Sequence, residues 1–213
     1  MYIHESEAHK YIAPRRVQKG VLLFDLKVTL IDTEPEVWRT VSVPSNFTLE
    51  QLGRVAARAI GWIPRYFHFF DNDGKFIEGY DPYNFMEDDE QKEPEEKKAK
   101  KDIARNIIIS SIFCNTDPAK RTITMDYGSD GWLHEITFVD MKQPDKKFYP
   151  KCIDGKNACP PEDCSGGPDA YRDILAALSD RKHAEHKETK EWMENSGYKR
   201  FNPKKFSVAS VSF

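Results

Sequence analysis

The strictest constraint on what this chain can fold into is the spacing of its apolar residues between positions 22 and 70. Leu22, Phe24, Leu26, Val28 and Leu30 alternate with Leu23, Asp25, Lys27 and Thr29. That is the period of two a strand imposes, because successive side chains point to opposite faces. Asp32-Thr-Glu-Pro35 predicts a turn, after which Val37, Arg39, Val41 and Val43 alternate with Trp38, Thr40 and Ser42. The two runs read as a hairpin. The period then changes: Leu49, Leu52, Val55, Ala56, Ala59 and Ile60 recur at three and four, one face of a helix. Thr48-Leu-Glu-Gln51 has capping-box spacing, Gly61 stands where a left-handed C-terminal cap belongs, and Pro64 stops continuation.

Further strands follow. Tyr66–Phe70, the turn Asp71-Asn-Asp-Gly74 and Lys75–Ile77 predict a second hairpin. The turn lacks the regular oxygen ligands and closing glutamate of a calcium loop. Residues 86–102 are almost all charged and read as a solvated insertion. Ile103–Cys114 fits neither helix nor strand period, and Cys114, in that apolar run, is expected to be a buried free thiol. Arg121–Tyr127 and Trp132–Val139 form a third hairpin around Gly128-Ser-Asp-Gly131. Pro168 opens a helix whose apolar face is Tyr171, Ile174, Leu175 and Leu178, a largely exposed helix is expected over 180–195, and Phe201 and Phe206 dock on the core.

This order predicts an α+β fold: a ubiquitin-like β-grasp, with a mixed sheet, one packed helix and a helical C-terminal extension. The expected organisation is a loose N-terminal arm over 1–20 and a single domain over 21–208. Within it, 21–140 is the β-grasp-like core and 141–208 holds a Cys/Pro loop and C-terminal helices.

Of 213 residues, 12% are aromatic, enough to build a core, and the net charge of −3 argues against non-specific nucleic-acid binding. A local basic face, from Arg15, Arg16, Lys199, Arg200, Lys204 and Lys205, remains open. No run approaches the roughly 18 apolar residues of a membrane span. The charged beginning has no apolar leader, so the expectation is a soluble cytoplasmic protein without a membrane partner.

Chemistry concentrates in Tyr149–Pro168, which holds three of the four cysteines. Cys152, Cys159 and Cys164 are candidate zinc ligands, with His134, or alternatively His68, to complete a tetrahedral set. Their x6 and x4 spacings are not paired knuckles, and small thiols packed in a proline-stiffened loop are the competing reading. His134, Glu135, Asp130, Glu162 and Asp163 would form an acid–base cluster if the Cys/Pro loop folded over the Asp130-Gly-Trp132 turn. His183 and His186, three apart among lysines, read as a solvated helix face.

Several passages together resemble one family: Leu26-Lys-Val-Thr-Leu30, Val37-Trp-Arg39, Thr48-Leu-Glu-Gln-Leu52 with Gly61-Trp62, Phe67-His-Phe69, Asp126-Tyr-Gly128, Asp130-Gly-Trp-Leu-His-Glu-Ile136, and Ala158-Cys-Pro-Pro-Glu-Asp-Cys164 with Gly166-Gly-Pro168. The chain is similar over about residues 22–208 to the Ri-plasmid open-reading-frame-three-like proteins, some of which carry an insertion-element passenger or TnpR-like label. Ser129 and Ser165 are insertions relative to the family pattern, both in turns. The resemblance implies an α+β fold and association with mobile elements, and it implies no established activity. A serine recombinase would need an activated serine among arginines in the N-terminal part, and the first 60 residues carry a hairpin and a helix instead. The expected role is therefore a non-enzymatic module that binds a protein partner. The alternatives are a zinc-stabilised protein associated with nucleic acid, and an acid–base enzyme using His134 with nearby carboxylates.

Overall fold

The computed structural model describes residues 12–81, 103–162, 164 and 166–213. The charged stretch 86–102, most of the expected N-terminal arm, Asp163 and Ser165 lie outside these residues. The strands are β1 Arg15–Arg16, β2 Leu23–Leu30, β3 Trp38–Pro44, β4 Phe67–Phe70, β5 Phe76–Tyr80, β6 Thr122–Tyr127, β7 Trp132–Lys142, β8 Phe148–Tyr149 and β9 Lys151–Lys156. The α-helices are α1 Leu49–Ile60, α2 Ser110–Phe113, α3 Gly167–Ser179 and α4 His186–Asn195. Seven strands join in the order β5-β4-β6-β7-β2-β3-β9, and β1 pairs separately with β8.

The α+β class is as expected, with a large sheet and helices packed against it. Its pairing differs from the expected mixed sheet: every pairing between the named strands is antiparallel. Antiparallel neighbours follow from hairpin-length loops, which join β2 to β3, β4 to β5 and β6 to β7 without a crossover. The strand β9 lies inside the predicted Cys/Pro loop. It shows no apolar alternation because it is an edge strand, with exposed Ile153, Asp154 and Lys156.

One sheet face is the core. Phe67, Phe69, Tyr127, Met125, Ile123, Trp132, His134, Ile136, Leu30 and Val28 share that face by register, and all are buried. The helix α1 lies over it, burying Leu49, Leu52, Val55, Ala56, Ala59 and Ile60. Its start is the capping box: Gln51 N–H donates to Thr48 Oγ1 at 3.2 Å and Thr48 N–H to Gln51 Oε1 at 2.9 Å, worth about 1 kcal/mol. Its end is Gly61, at φ 128°, whose N–H donates to Ala57 O. A Cβ at Gly61 would also stand 3.1 Å from the Cys159 Sγ, so this glycine admits the Cys/Pro loop as well as the turn.

The ambiguous segment becomes two short helical turns, Ala104–Asn106 and α2. Ile109 and Phe113 are buried, and Phe113 meets Phe24 edge-on at 6.4 Å between ring centroids. Cys114, one residue past Phe113, is exposed, contrary to the expected burial. The expected helix over 180–195 is interrupted at 180–185, so His183 precedes α4 and does not share a helical face with His186. No helix among the described residues is long and apolar enough to cross a membrane.

Gly53 tests the packing of α1 on the sheet. A Cβ there would stand 2.5 Å from the ring of Phe67 and 2.9 Å from that of Phe69, both fully buried. Alanine gains about 1 kcal/mol of helix propensity, but overpacking costs about 1–3 kcal/mol. Gly53→Ala is expected to lower the urea midpoint without changing the slope of the transition.

Candidate functional site

The organising side chain of the site is Trp62, directly after the α1 cap. It is 1% exposed, stacks on Tyr127 at 5.1 Å and 24°, and touches Trp132 at 5.1 Å and His134 at 5.5 Å. Its indole N–H donates to Pro160 O at 3.0 Å, which seats the Cys/Pro loop on the sheet. Glu162 completes that seat. Its Oε1 accepts from Ile63 N–H at 3.1 Å and pairs with Arg65 Nε at 3.3 Å. The Tyr127 hydroxyl, 2.6 Å from Ile63 O, shares its hydrogen with Glu162 Oε1 at 2.9 Å. Burial, followed by the Glu162 charge, pushes the Tyr127 phenol well above its ordinary range, so it stays protonated.

The loop packs onto the Asp130-Gly-Trp132 turn, the condition on which the acid–base cluster depended. Gly167 packs so closely on that turn that a Cβ would stand 2.1 Å from Asp130 O, and Gly166 N–H points to Asp130 Oδ1 at 3.5 Å. The result is an open cavity of about 230 Å³ lined by Arg65, Tyr66, Tyr127, Asp130, Trp132 and Glu162, with Gly128 and Ser129 at its rim. Asp130 and Glu162 thus line one cavity. The Trp132 indole N–H and the Tyr171 hydroxyl, both buried nearby, have no hydrogen-bond partner among the described residues.

His134 does not join them. It shares the inward phase of Trp132 and Ile136 and lies beneath Trp62, with Nδ1 3.1 Å from Trp132 O. Burial lowers its pKa from 6.5 to about 4, so it is neutral in the folded protein near pH 7. Glu135 is exposed on the opposite sheet face. His68 also faces outward, where its Nε2 is 3.5 Å from Asp126 Oδ2. Strand alternation therefore forbids a site that combines His68 with His134. An acid–base pair of His134 with Asp130 and Glu162 is not assembled.

The thiols are likewise dispersed among carbonyls. Cys152, on β9, donates to Asp154 O at 3.3 Å, Cys159 to Pro160 O at 3.0 Å, and Cys164 to Gly167 O at 3.8 Å. Burial pushes all three upward in pKa, Cys164 to about 11 and Cys159 further, so none is poised as a thiolate. Among the described residues no three His, Cys, Asp or Glu side chains are grouped to hold a metal ion. The expected set Cys152, Cys159, Cys164 and His134 is not such a group.

The residue that sequence reasoning passed over is Arg39. It is 1% exposed and, among the described residues, has no carboxylate partner. Nε donates to Ala59 O at 3.1 Å, Nη1 to Trp38 O at 2.7 Å and Lys156 O at 2.8 Å, and Nη2 to Asn157 O at 3.0 Å. Phe206 lies 3.7 Å from the guanidinium carbon to its ring centroid. Burial lowers the Arg39 pKa to about 10, which leaves it charged. The signal was present: Arg39 falls in phase with Val37, Val41 and Val43, the inward positions of β3. Arg65, outside any periodic run, carried no such signal.

Three comparisons bear on identity. The family model described as plasmid pRiA4b ORF-3-like protein matches residues 23–210. An uncharacterised protein, y4hQ, from Sinorhizobium fredii (strain NBRC 101917 / NGR234) is 32% identical over 174 residues, 81% of either chain. The crystal structure of a protein of unknown function, MM3350 from Methanosarcina mazei Go1, has a TM-score of 0.70 at 23% identity. The match covers 91% of this chain and 99% of that one, and it shows the shared fold. The chain belongs to the plasmid pRiA4b ORF-3-like family.

Two outcomes follow from the buried groups. The unfolded chain binds a proton at His134 near pH 6.5 that the folded chain refuses until about pH 4. Stability is therefore intact above about 6.5 and falls as the pH drops toward 4, by roughly 3 kcal/mol. Urea titrations across that range are expected to show the loss, and His134→Phe to remove this component of the slope. Elemental analysis of protein purified without added metal is expected to show no stoichiometric zinc. Zinc lost on Cys152→Ser/Cys159→Ser would reinstate the thiolate set.

Proposed function

We propose that this member of the pRiA4b ORF-3-like family is a non-enzymatic accessory module that binds a protein through the open face of its sheet. The observation that carries the reading is an aromatic strip on that face. Tyr66 and Phe76 are 36% and 45% exposed, His68 and Phe70 are half-buried beside them, and His68 lies within 5.0–5.6 Å of the other three rings. The described helices contact the other face. Across the open one, Thr122, Thr124, Asp126, Leu133, Thr137, Lys27, Thr29, Trp38 and Thr40 are half-buried and Glu135 is exposed. Clustered exposed aromatics with a polar rim are the composition of a protein contact.

Charge indicates the kind of partner. Asp126 and Glu135 lie on the face, and Asp71 and Asp73 on the turn beside Phe70, where Lys75 follows, with Lys27 at the far end, so acids outnumber bases. An acidic rim around aromatic rings suits a basic, partly apolar protein surface and repels a phosphate backbone. The expected basic residues are exposed but stand on separate elements, Arg15 and Arg16 on β1 and the lysines beyond α4. An accessory role fits the mobile-element association that the family resemblance implies. The neutral, enclosed His134 and the raised thiol pKa values lend no support to turnover.

The expected outcome is salt-resistant co-purification of a protein with the full chain, weakened at least about tenfold by Phe76→Asp or Tyr66→Asp, as for central aromatic contacts. Both positions are exposed, so the variants keep their melting temperature. Partner capture unaffected by either variant, or retention on DNA that is lost with salt, would overturn the reading.

A further inference from the structure

On the opposite side of the sheet, the C-terminal end of α1, the Ala158-Cys159 turn and the segment 205–211 enclose a second cavity, of about 290 Å³. Its wall carries Arg39, Arg58 and Lys205 together with Ser207 and Ser210, and no acidic side chain among the described residues. We propose that this cavity is a binding site for a small, multiply charged oxyanion, a phosphate group in its free or monoester form.

The argument begins with Arg39. A guanidinium has five N–H donors, and carbonyls occupy four of them through the bonds to Ala59, Trp38, Lys156 and Asn157. Those carbonyls fix the fork and supply partial negative charge, but no formal counter-charge. The positive charge is therefore buried and oriented on the cavity wall, with the Phe206 ring over one face of it and no acidic side chain among the described lining residues. The four carbonyls offset the desolvation of the guanidinium without cancelling its charge, so its field still favours an anion in the cavity. The reorganisation cost is already met by the fold.

The negative end of the α1 dipole would oppose an anion. Arg39 itself answers this, because its Nε takes Ala59 O in the last helical turn. Lys205, exposed at the mouth, adds a flexible ammonium, and Arg58 donates to Ser212 O and Oγ at 3.2 Å beside it. Several cations on one small cavity match an oxyanion with close to two charges better than a single carboxylate. Small-molecule pockets begin at roughly 300 Å³, so the cavity takes a phosphate head group and leaves a larger body outside. Cys159 also lines it, but its thiol is held protonated by burial and donates to Pro160 O. The site therefore binds and does not attack.

This proposal is independent of the protein-binding reading, whose surface is the other sheet face. Its test is calorimetric titration of the full chain with inorganic phosphate and with glycerol 3-phosphate, against chloride at matched ionic strength. Saturable binding of either is expected, and the tighter one identifies the free ion or the monoester. Lys205→Ala is expected to weaken binding roughly tenfold, the worth of one charge-assisted hydrogen bond. Lys205→Glu is expected to abolish it, with the ligand-free melting temperature unchanged in both. No saturable heat with the wild-type chain, or Lys205 variants that bind as it does, would overturn the assignment.

Discussion

A buried positive charge, with no acid beside it among the described residues, joins the distant parts of this molecule. Arg39 reaches from β3 to the last turn of α1 and to the end of β9, and Phe206 closes over it. Each bond from a charged donor contributes about 1.5–3 kcal/mol, and four of them together match the several kcal/mol of desolvating a guanidinium. The balance holds only while all the carbonyls are in place. The edge strand β9, which has little apolar surface of its own, is thereby tied to the helix as well as to β3. The position of the Cys/Pro loop follows from that tie, since Asn157 is both an Arg39 acceptor and the residue from which the loop departs.

From there the loop is held by aromatic packing and a few well-placed hydrogen bonds. Trp62 offers one face to Tyr127 and its N–H to Pro160, so a single indole spans the sheet and the loop. Glu162 repeats the arrangement with a carboxylate, collecting Ile63, Tyr127 and Arg65. The thiols that first drew attention are small groups capped by neighbouring carbonyls. Proline and glycine do the shaping, and cysteine fills the space.

What was readable in advance is what depends on neighbours along the chain. The capped helix α1, the Asp71–Gly74 turn and three of the hairpins are local, and their periods state them directly. The strand β9 was not readable, because an edge strand with Gly155 and two charged neighbours has no alternation to detect. Ile103–Cys114 failed both templates for a real reason: it forms two helical turns joined by a bridge between Ile108 and Thr48. That Asp130 and Glu162 would line one cavity was only a conditional reading, whereas including His134 overlooked its strand phase, which it shares with Trp132 and Ile136. Arg39 was legible by the same phase rule. A cation among inward valines is a statement about the core, and reading it as ordinary alternation hid the side chain that ties β3 to α1 and β9.

The strand order carries a consequence for how the molecule is made. β2 emerges early and finds β3 at once, but its other neighbour is β7, so Leu30 waits for His134 before either is covered. A growing chain on the ribosome must carry the β2–β3 hairpin and α1 half-assembled until the β6–β7 hairpin appears. Pairings of such long reach are slow to close, and the interval exposes apolar strand edges to other chains.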